Sequence, residues 1–180
     1  MKLRWVFAAV GLLALLAGTA LWLGSRSDTP GSSAGGPSPP ALLAAGFVDT
    51  QGRAQSLGQF QGKILVVNFW ATWCAPCREE MPAFVRLQAR WGPRGVQFIG
   101  LSGEEAAPVE RFGKELGINY PLWIGGDAVG ELSKRLGNRL GVLPHTVLID
   151  SQGRVLESRV GPYSEALMEQ RLEAASGNLR

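Results

Sequence analysis

The hydrophobic pattern divides this chain before its composition is considered. Residues 5–24 form an uncharged, mostly apolar run of 20, the length that crosses a bilayer as a helix. Residues 25–40 lose the pattern: Gly, Ser and Pro dominate, and no aliphatic residue beyond Ala34 appears. From residue 41 onward apolar positions return at the spacings of strands and helices. Residues 64–70 read Ile-Leu-Val-Val-Asn-Phe-Trp, a continuous branched run expected of a strand buried on both faces. Residues 77–91 place Met81, Phe84, Val85 and Leu87 at helical spacing, and Trp91-Gly92-Pro93 stops that helix. A second apolar strand at residues 96–101 completes a βαβ unit, expected to be right-handed.

Shorter elements surround this unit. Residues 47–49 and 54–56 flank the turn signal Gln51-Gly52 and predict a small hairpin. Residues 57–61 predict a helical turn ended by Gly62. Ser102-Gly103-Glu104-Glu105 has the spacing of a capping box before a helix carrying Val109, Phe112 and Leu116, with Glu104 and Glu105 as its solvated start. Residues 120–124 read as extended, and residues 128–136 as a helix ended by Gly137. Residues 147–150 and 155–160 form an antiparallel hairpin about Ser151-Gln152-Gly153, and Ser164 caps a last helix with Ala166, Leu167 and Leu172 on its apolar stripe. No internal repeat is visible.

Composition narrows the class. At 180 residues and 46% hydrophobic, the chain accommodates one globular domain plus an attachment segment. The net charge is +3, but residues 41–180 hold 15 Lys/Arg against 14 Asp/Glu. That balance leaves no basic footprint for nucleic acid. Lys2 and Arg4 precede the apolar run, which keeps the N-terminus cytoplasmic and exports the remainder of the chain. A signal peptide's apolar region is usually about 7–15 residues. The length therefore favours a retained anchor over a leader removed after Gly18-Thr19-Ala20, and Leu16-Ala17-Gly18-Thr19 lacks the cysteine that lipidation needs. The chain thus divides into a transmembrane signal-anchor (1–24), a Gly/Ser/Pro-rich linker (25–40) and a folded head (41–180). Extended at ~3 Å per residue, the linker gives the head a reach of some tens of ångströms.

The chemistry concentrates where the first strand meets its helix. Cys74 and Cys77 are the only cysteines and stand in Trp73-Cys74-Ala75-Pro76-Cys77. Helix-start N–H groups and the positive dipole end favour thiolate over thiol. A thiolate attacks disulfides, and a second thiol one turn along resolves the mixed disulfide. Pro76 sits where a missing N–H costs nothing. A zinc site needs about four ligands, and the chain offers these two cysteines and a single histidine, His145. A purely structural disulfide closing so short a loop adds little stability. Glu80, three residues after Cys77, lies on the same helix face. There a half-buried carboxylate with a raised pKa would accept the proton of Cys77, while Glu79 points away. Trp73 offers an apolar shelf beside Cys74, and Phe69 and Trp70 belong to the core.

From residue 45 to residue 175 the chain resembles the thioredoxin superfamily, and within it the membrane-anchored TlpA/ResA group of thiol–disulfide oxidoreductases. The resemblance rests on Trp73 to Cys77, on Pro82 where such helices kink, and on Glu80 where the group carries a glutamate. It implies an α/β thioredoxin fold, a central mixed sheet flanked by helices, with an N-terminal β-hairpin extension. It implies a cis peptide bond at Pro144 beside the cysteine pair, so that Leu143 presents its backbone to an extended substrate segment. It implies reduction of exported disulfide proteins, apocytochrome c or a cytochrome oxidase copper-site protein, by a dithiol that a transmembrane thiol donor restores. The setting is the bacterial inner membrane with the head in the periplasm, and no cofactor is needed. An oxidase or isomerase of the same fold is the alternative. A copper chaperone using Cys74, Cys77 and His145 is a more distant one. His145 itself reads as a packed, hydrogen-bonded residue, since its side chain faces away from its neighbours' in a strand.

Overall fold

The computed structural model describes residues 37–177. The apolar run at residues 5–24 and most of the linker lie outside them. Among the described residues no helix is long and apolar enough to cross a membrane.

Among the described residues fourteen elements succeed one another. They are α1 (Pro39–Leu43), β1 (Gly46–Asp49), β2 (Ala54–Ser56), a 3₁₀ turn (Leu57–Phe60), β3 (Ile64–Trp70), α2 (Ala75–Trp91), a 3₁₀ turn (Gly92–Arg94), β4 (Val96–Ser102), α3 (Ala106–Glu115), β5 (Leu122–Ile124), α4 (Asp127–Arg135), β6 (His145–Ile149), β7 (Val155–Val160) and α5 (Glu165–Gly177). The seven strands make one mixed sheet in the order β2-β1-β5-β4-β3-β6-β7. β3, β4 and β5 run parallel, while β6, β7, β1 and β2 join antiparallel. This is the thioredoxin-like α/β fold, and the β1–β2 hairpin extends its sheet at the β5 side. Pro39 and Pro40 already belong to α1, whose Leu42 is fully buried.

Every residue of β3 is buried, and the strand's period of two explains how. Ile64, Val66 and Trp70 face one core with Met81, Phe84 and Leu87 of α2, Val109 and Phe112 of α3, and Met168 and Leu172 of α5. Leu65, Val67 and Phe69 face the other core with Leu42, Trp123, Val129 and Leu132. Helices on both faces are why the run carries no alternation. Asn68 is the polar exception, 1% exposed.

Two expectations are corrected. Ser102 ends β4, and the residue capping α3 is Glu105, without a side-chain cap. The Ser102–Glu105 spacing is therefore not a capping box, because the parallel ladder with β5 holds Ser102 in the sheet. The buried stripe of α5 is Met168, Leu172 and Ala175, with Ala166 exposed and Leu167 half-buried. Ser164 does accept the Leu167 N–H at 3.2 Å, as a cap should.

The two hairpins also share a turn. Asp49-Thr50-Gln51-Gly52-Arg53 and Asp150-Ser151-Gln152-Gly153-Arg154 differ at one position. In each, Asp Oδ1 accepts the N–H of the residues two and four further on, at 2.9 to 3.0 Å. The other carboxylate oxygen meets the Arg Nε at 2.6 and 2.7 Å. Gly52 and Gly153 supply the positive φ, 80° and 82°, that the turn requires.

Candidate active site

β3 delivers the cysteine pair at its end and α2 holds it. Cys74 is the residue before the first turn of α2, extended at φ −85°, and its Sγ accepts the Cys77 N–H at 3.4 Å. A sulfur that caps a helix N-terminus is one whose thiolate the helix stabilises. Cys74 and Cys77 are joined as a disulfide with Cα atoms 5.3 Å apart, so the structure shows the oxidised form. Cys74 is 5% exposed and Cys77 fully buried, which leaves Cys74 the more accessible of the two. Trp73 beside it is 74% exposed, an apolar surface with no core partner to justify it.

Glu80 is the other chemical group of the site. It is 4% exposed, one turn beyond Cys77 on α2. Asn68 Nδ2 donates to its Oε1 at 2.8 Å, and the Tyr163 N–H donates to its Oε2 at 2.9 Å. The same Asn68 amide donates to Thr146 Oγ1 at 3.0 Å. Burial raises the Glu80 pKa from 4.5 to about 7, against the pull of the Tyr163 and Asn68 hydrogen bonds. The carboxyl thus exchanges its proton near neutral pH. It also lines a surface groove with Pro76, Arg159 and Tyr163, which gives that proton a way out. Burial and then the Glu80 charge push the Tyr120 hydroxyl well above the ordinary tyrosine range. Glu79 is exposed, as expected.

The Leu143–Pro144 bond is cis. Leu143 is half-buried and packs against both cores, and with Trp73, Gly141 and Asn138 it lines a groove of about 680 Å³ that reaches Trp73, the residue before Cys74. Asn138 holds the approach to it. Its amide donates to the Val142 carbonyl at 2.8 Å and accepts the Val142 N–H at 3.0 Å. Leu140 and Val142 are left exposed at 88% and 47%.

His145 is fully buried on the face opposite Glu80, stacked on Phe69 with ring centroids 5.0 Å apart. Ser158 Oγ donates to the Leu136 carbonyl, so it accepts from His145 Nε2 at 2.9 Å. Nδ1 then accepts from the Ser133 hydroxyl at 2.9 Å. Burial lowers its pKa to about 4. The imidazole is neutral, with both nitrogens engaged.

Of the residues singled out in the sequence, Trp73, Cys74, Cys77 and Glu80 follow the end of β3 into α2, and Leu143 and Pro144 precede β6, whose first residue His145 pairs with Phe69 of β3. Sequence reasoning missed Asn68, Thr146, Tyr163 and Asn138. It also misread Glu104, whose carboxylate is half-buried and accepts both the N–H and the hydroxyl of Thr72, at 2.6 Å each. The signal for Asn68 was visible: a lone amide inside an apolar strand needs a buried partner.

Known proteins are similar to this chain in sequence and in fold. The family model described as Redoxin matches residues 34–175. The ResA thiol–disulfide oxidoreductase of Geobacillus thermodenitrificans is 32% identical over 174 residues, 95% of each chain. That of Bacillus subtilis is 29% identical over 177 residues, 93% of this chain and 91% of its own. The crystal structure of a thioredoxin-family thiol:disulfide interchange protein from Chlorobium tepidum superposes with a TM-score of 0.64 at 33% identity, covering 74% of this chain and 93% of that one.

Proposed function

The chain belongs to the Redoxin family and is a thiol–disulfide oxidoreductase of the TlpA/ResA type, and from that premise we propose that it is an exported, membrane-tethered reductant of protein disulfides. The observation that carries the reading is the more accessible Cys74 sulfur capping α2, with a proton-exchanging Glu80 one turn below its partner Cys77.

The reduced enzyme starts with a Cys74 thiolate and a Cys77 thiol. Cys74 attacks one sulfur of a substrate disulfide; that S–S bond breaks, and the second substrate sulfur leaves as a thiolate that takes a proton from water. Cys77 passes its proton to the Glu80 carboxylate and attacks Cys74 Sγ. The mixed disulfide breaks, the first substrate sulfur leaves as a thiolate that also takes a proton from water, completing the substrate dithiol, and the enzyme keeps the Cys74–Cys77 disulfide. Two electrons have passed to the substrate. Glu80 then releases its proton through the groove beside Pro76. The substrate segment lies between Trp73 and Leu143, whose backbone groups pair with it. The substrates are apocytochrome c or a copper-site protein of cytochrome oxidase, and a transmembrane thiol donor returns the electrons. Residues 1–24 anchor the chain with its N-terminus in the cytoplasm and the head in the periplasm.

A copper chaperone of Cys74, Cys77 and His145 is disfavoured, because His145 faces the other side of the sheet with both ring nitrogens bonded. A measured reduction potential separates reductase from oxidase or isomerase. We expect it below about −200 mV, so that the dithiol reduces substrates in an oxidising compartment. A value near the −120 mV of strong disulfide oxidants would overturn the direction.

A further inference from the structure

We propose that Glu104 is a positioning residue for the active-site turn, and that it sets the enzyme's preference for peptide disulfides over small ones. The turn runs Ala71-Thr72-Trp73-Cys74 and is closed by the Cys74 N–H on the Ala71 carbonyl at 3.1 Å. Glu104 belongs to a different segment, the loop after β4. Both its carboxylate oxygens are committed to Thr72: Oε2 accepts the N–H and Oε1 the hydroxyl, at 2.6 Å each. Ser102 Oγ donates to Oε2 at 3.2 Å and accepts the Glu104 N–H at 3.2 Å, orienting the carboxylate from behind. No Lys or Arg forms an ion pair with Glu104 among the described residues. Three donors share its charge instead, and charge-assisted bonds of this kind are the strong ones.

The consequence falls on Trp73. That side chain is 74% exposed and no core contact fixes it, so its direction is set by the backbone on which it stands. Thr72 is the residue before it, and Glu104 grips Thr72 by two atoms. Glu104, Trp73 and Leu143 also line the same groove. A bidentate grip on the turn therefore fixes one wall of the groove relative to Leu143. A peptide disulfide that must lie between Trp73 and Leu143 depends on that spacing. A small disulfide that needs only Cys74 does not. Glu105 is exposed and plays the solvated role alone.

The inference rests on the docking of a peptide between Trp73 and Leu143 proposed above. Its test uses the reduced full-length protein in detergent, a synthetic peptide closed by one internal disulfide, and a small aromatic disulfide. Glu104→Ala should lower kcat/KM for the peptide about tenfold, mainly through KM, and leave the small disulfide within about twofold. Thr72→Val should move in the same direction. The double variant should be no worse than Glu104→Ala alone, because one interaction is removed twice. Thr72→Ser, which keeps both donors, should retain the peptide preference. Glu104→Gln, a milder change that keeps the side chain's shape, should lie between Ala and the parent. Equal losses on both substrates, no loss on either, or additive effects of Glu104→Ala and Thr72→Val would each overturn the inference. Inactivity of the parent on both substrates would instead defeat the functional reading beneath it.

Discussion

Glu80 and His145 are both buried titratable groups, and burial moves them in opposite senses. The Glu80 pKa rises to about 7, so the folded chain keeps a proton that the unfolded chain has released. Stability from this group is greatest below about pH 4.5 and is lost as pH rises through 7, by up to about 3 kcal/mol. Glu80→Gln should therefore gain on the parent between pH 5 and pH 8 in denaturant midpoints, while parallel curves would contradict the buried carboxyl. The same variant should slow single-turnover reduction several-fold and lose the rise in rate centred near pH 7, since the proton acceptor for Cys77 is gone. His145 behaves oppositely. Its pKa falls from 6.5 to about 4, so its contribution is full above pH 6.5 and is lost as pH falls through 4. His145→Gln should flatten the acid limb of stability and leave reduction of a small disulfide unchanged, because His145 faces away from the sulfurs.

At the scale of elements, the start of α2 decides which sulfur reacts. In the reduced protein Cys74 should alkylate first, with a pKa below the free-thiol value of about 8.5, and faster labelling of Cys77 would reverse the roles. The twin hairpin turns make a separate forecast. Asp49→Ala and Asp150→Ala should each lower the midpoint of chemical denaturation, additively, since the turns belong to separate hairpins. The elements themselves were legible where a local pattern was complete: the unbroken apolar run of β3, the Gly-marked turns, Pro76 and Trp91-Gly92-Pro93 bounding α2. They were less so where a distant neighbour decides. Ser102 has the spacing of a cap, yet β5 claims it for the sheet. Glu80 could be placed beside Cys77 by helical spacing alone, but its partners Asn68 and Tyr163 lie 12 and 83 residues away, and no local signal joins them. Glu104 was misread as solvated for the same reason, since its partner Thr72 is 32 residues before it.

For the whole molecule, the sheet carries the chemistry at one end and spends its remaining surface on stability. Both cores meet β3, so truncating a residue there or opposite it loosens the platform beneath the cysteines; Phe84→Ala should cost about 3–5 kcal/mol. The proposed anchor belongs to the same scale. Full-length protein should stay with membranes through a salt and carbonate wash, and recovery of a soluble form beginning near Leu21 would refute a retained span. The central claim is that Cys74 attacks and Cys77 resolves, with peptide held across the end of the sheet. Its most direct test is Cys77→Ser in the native membrane, with identification of the species captured. The account predicts a mixed disulfide linking Cys74 to an exported protein thiol, absent in Cys74→Ser. Capture through Cys77 in the Cys74→Ser protein, with none through Cys74, would contradict it.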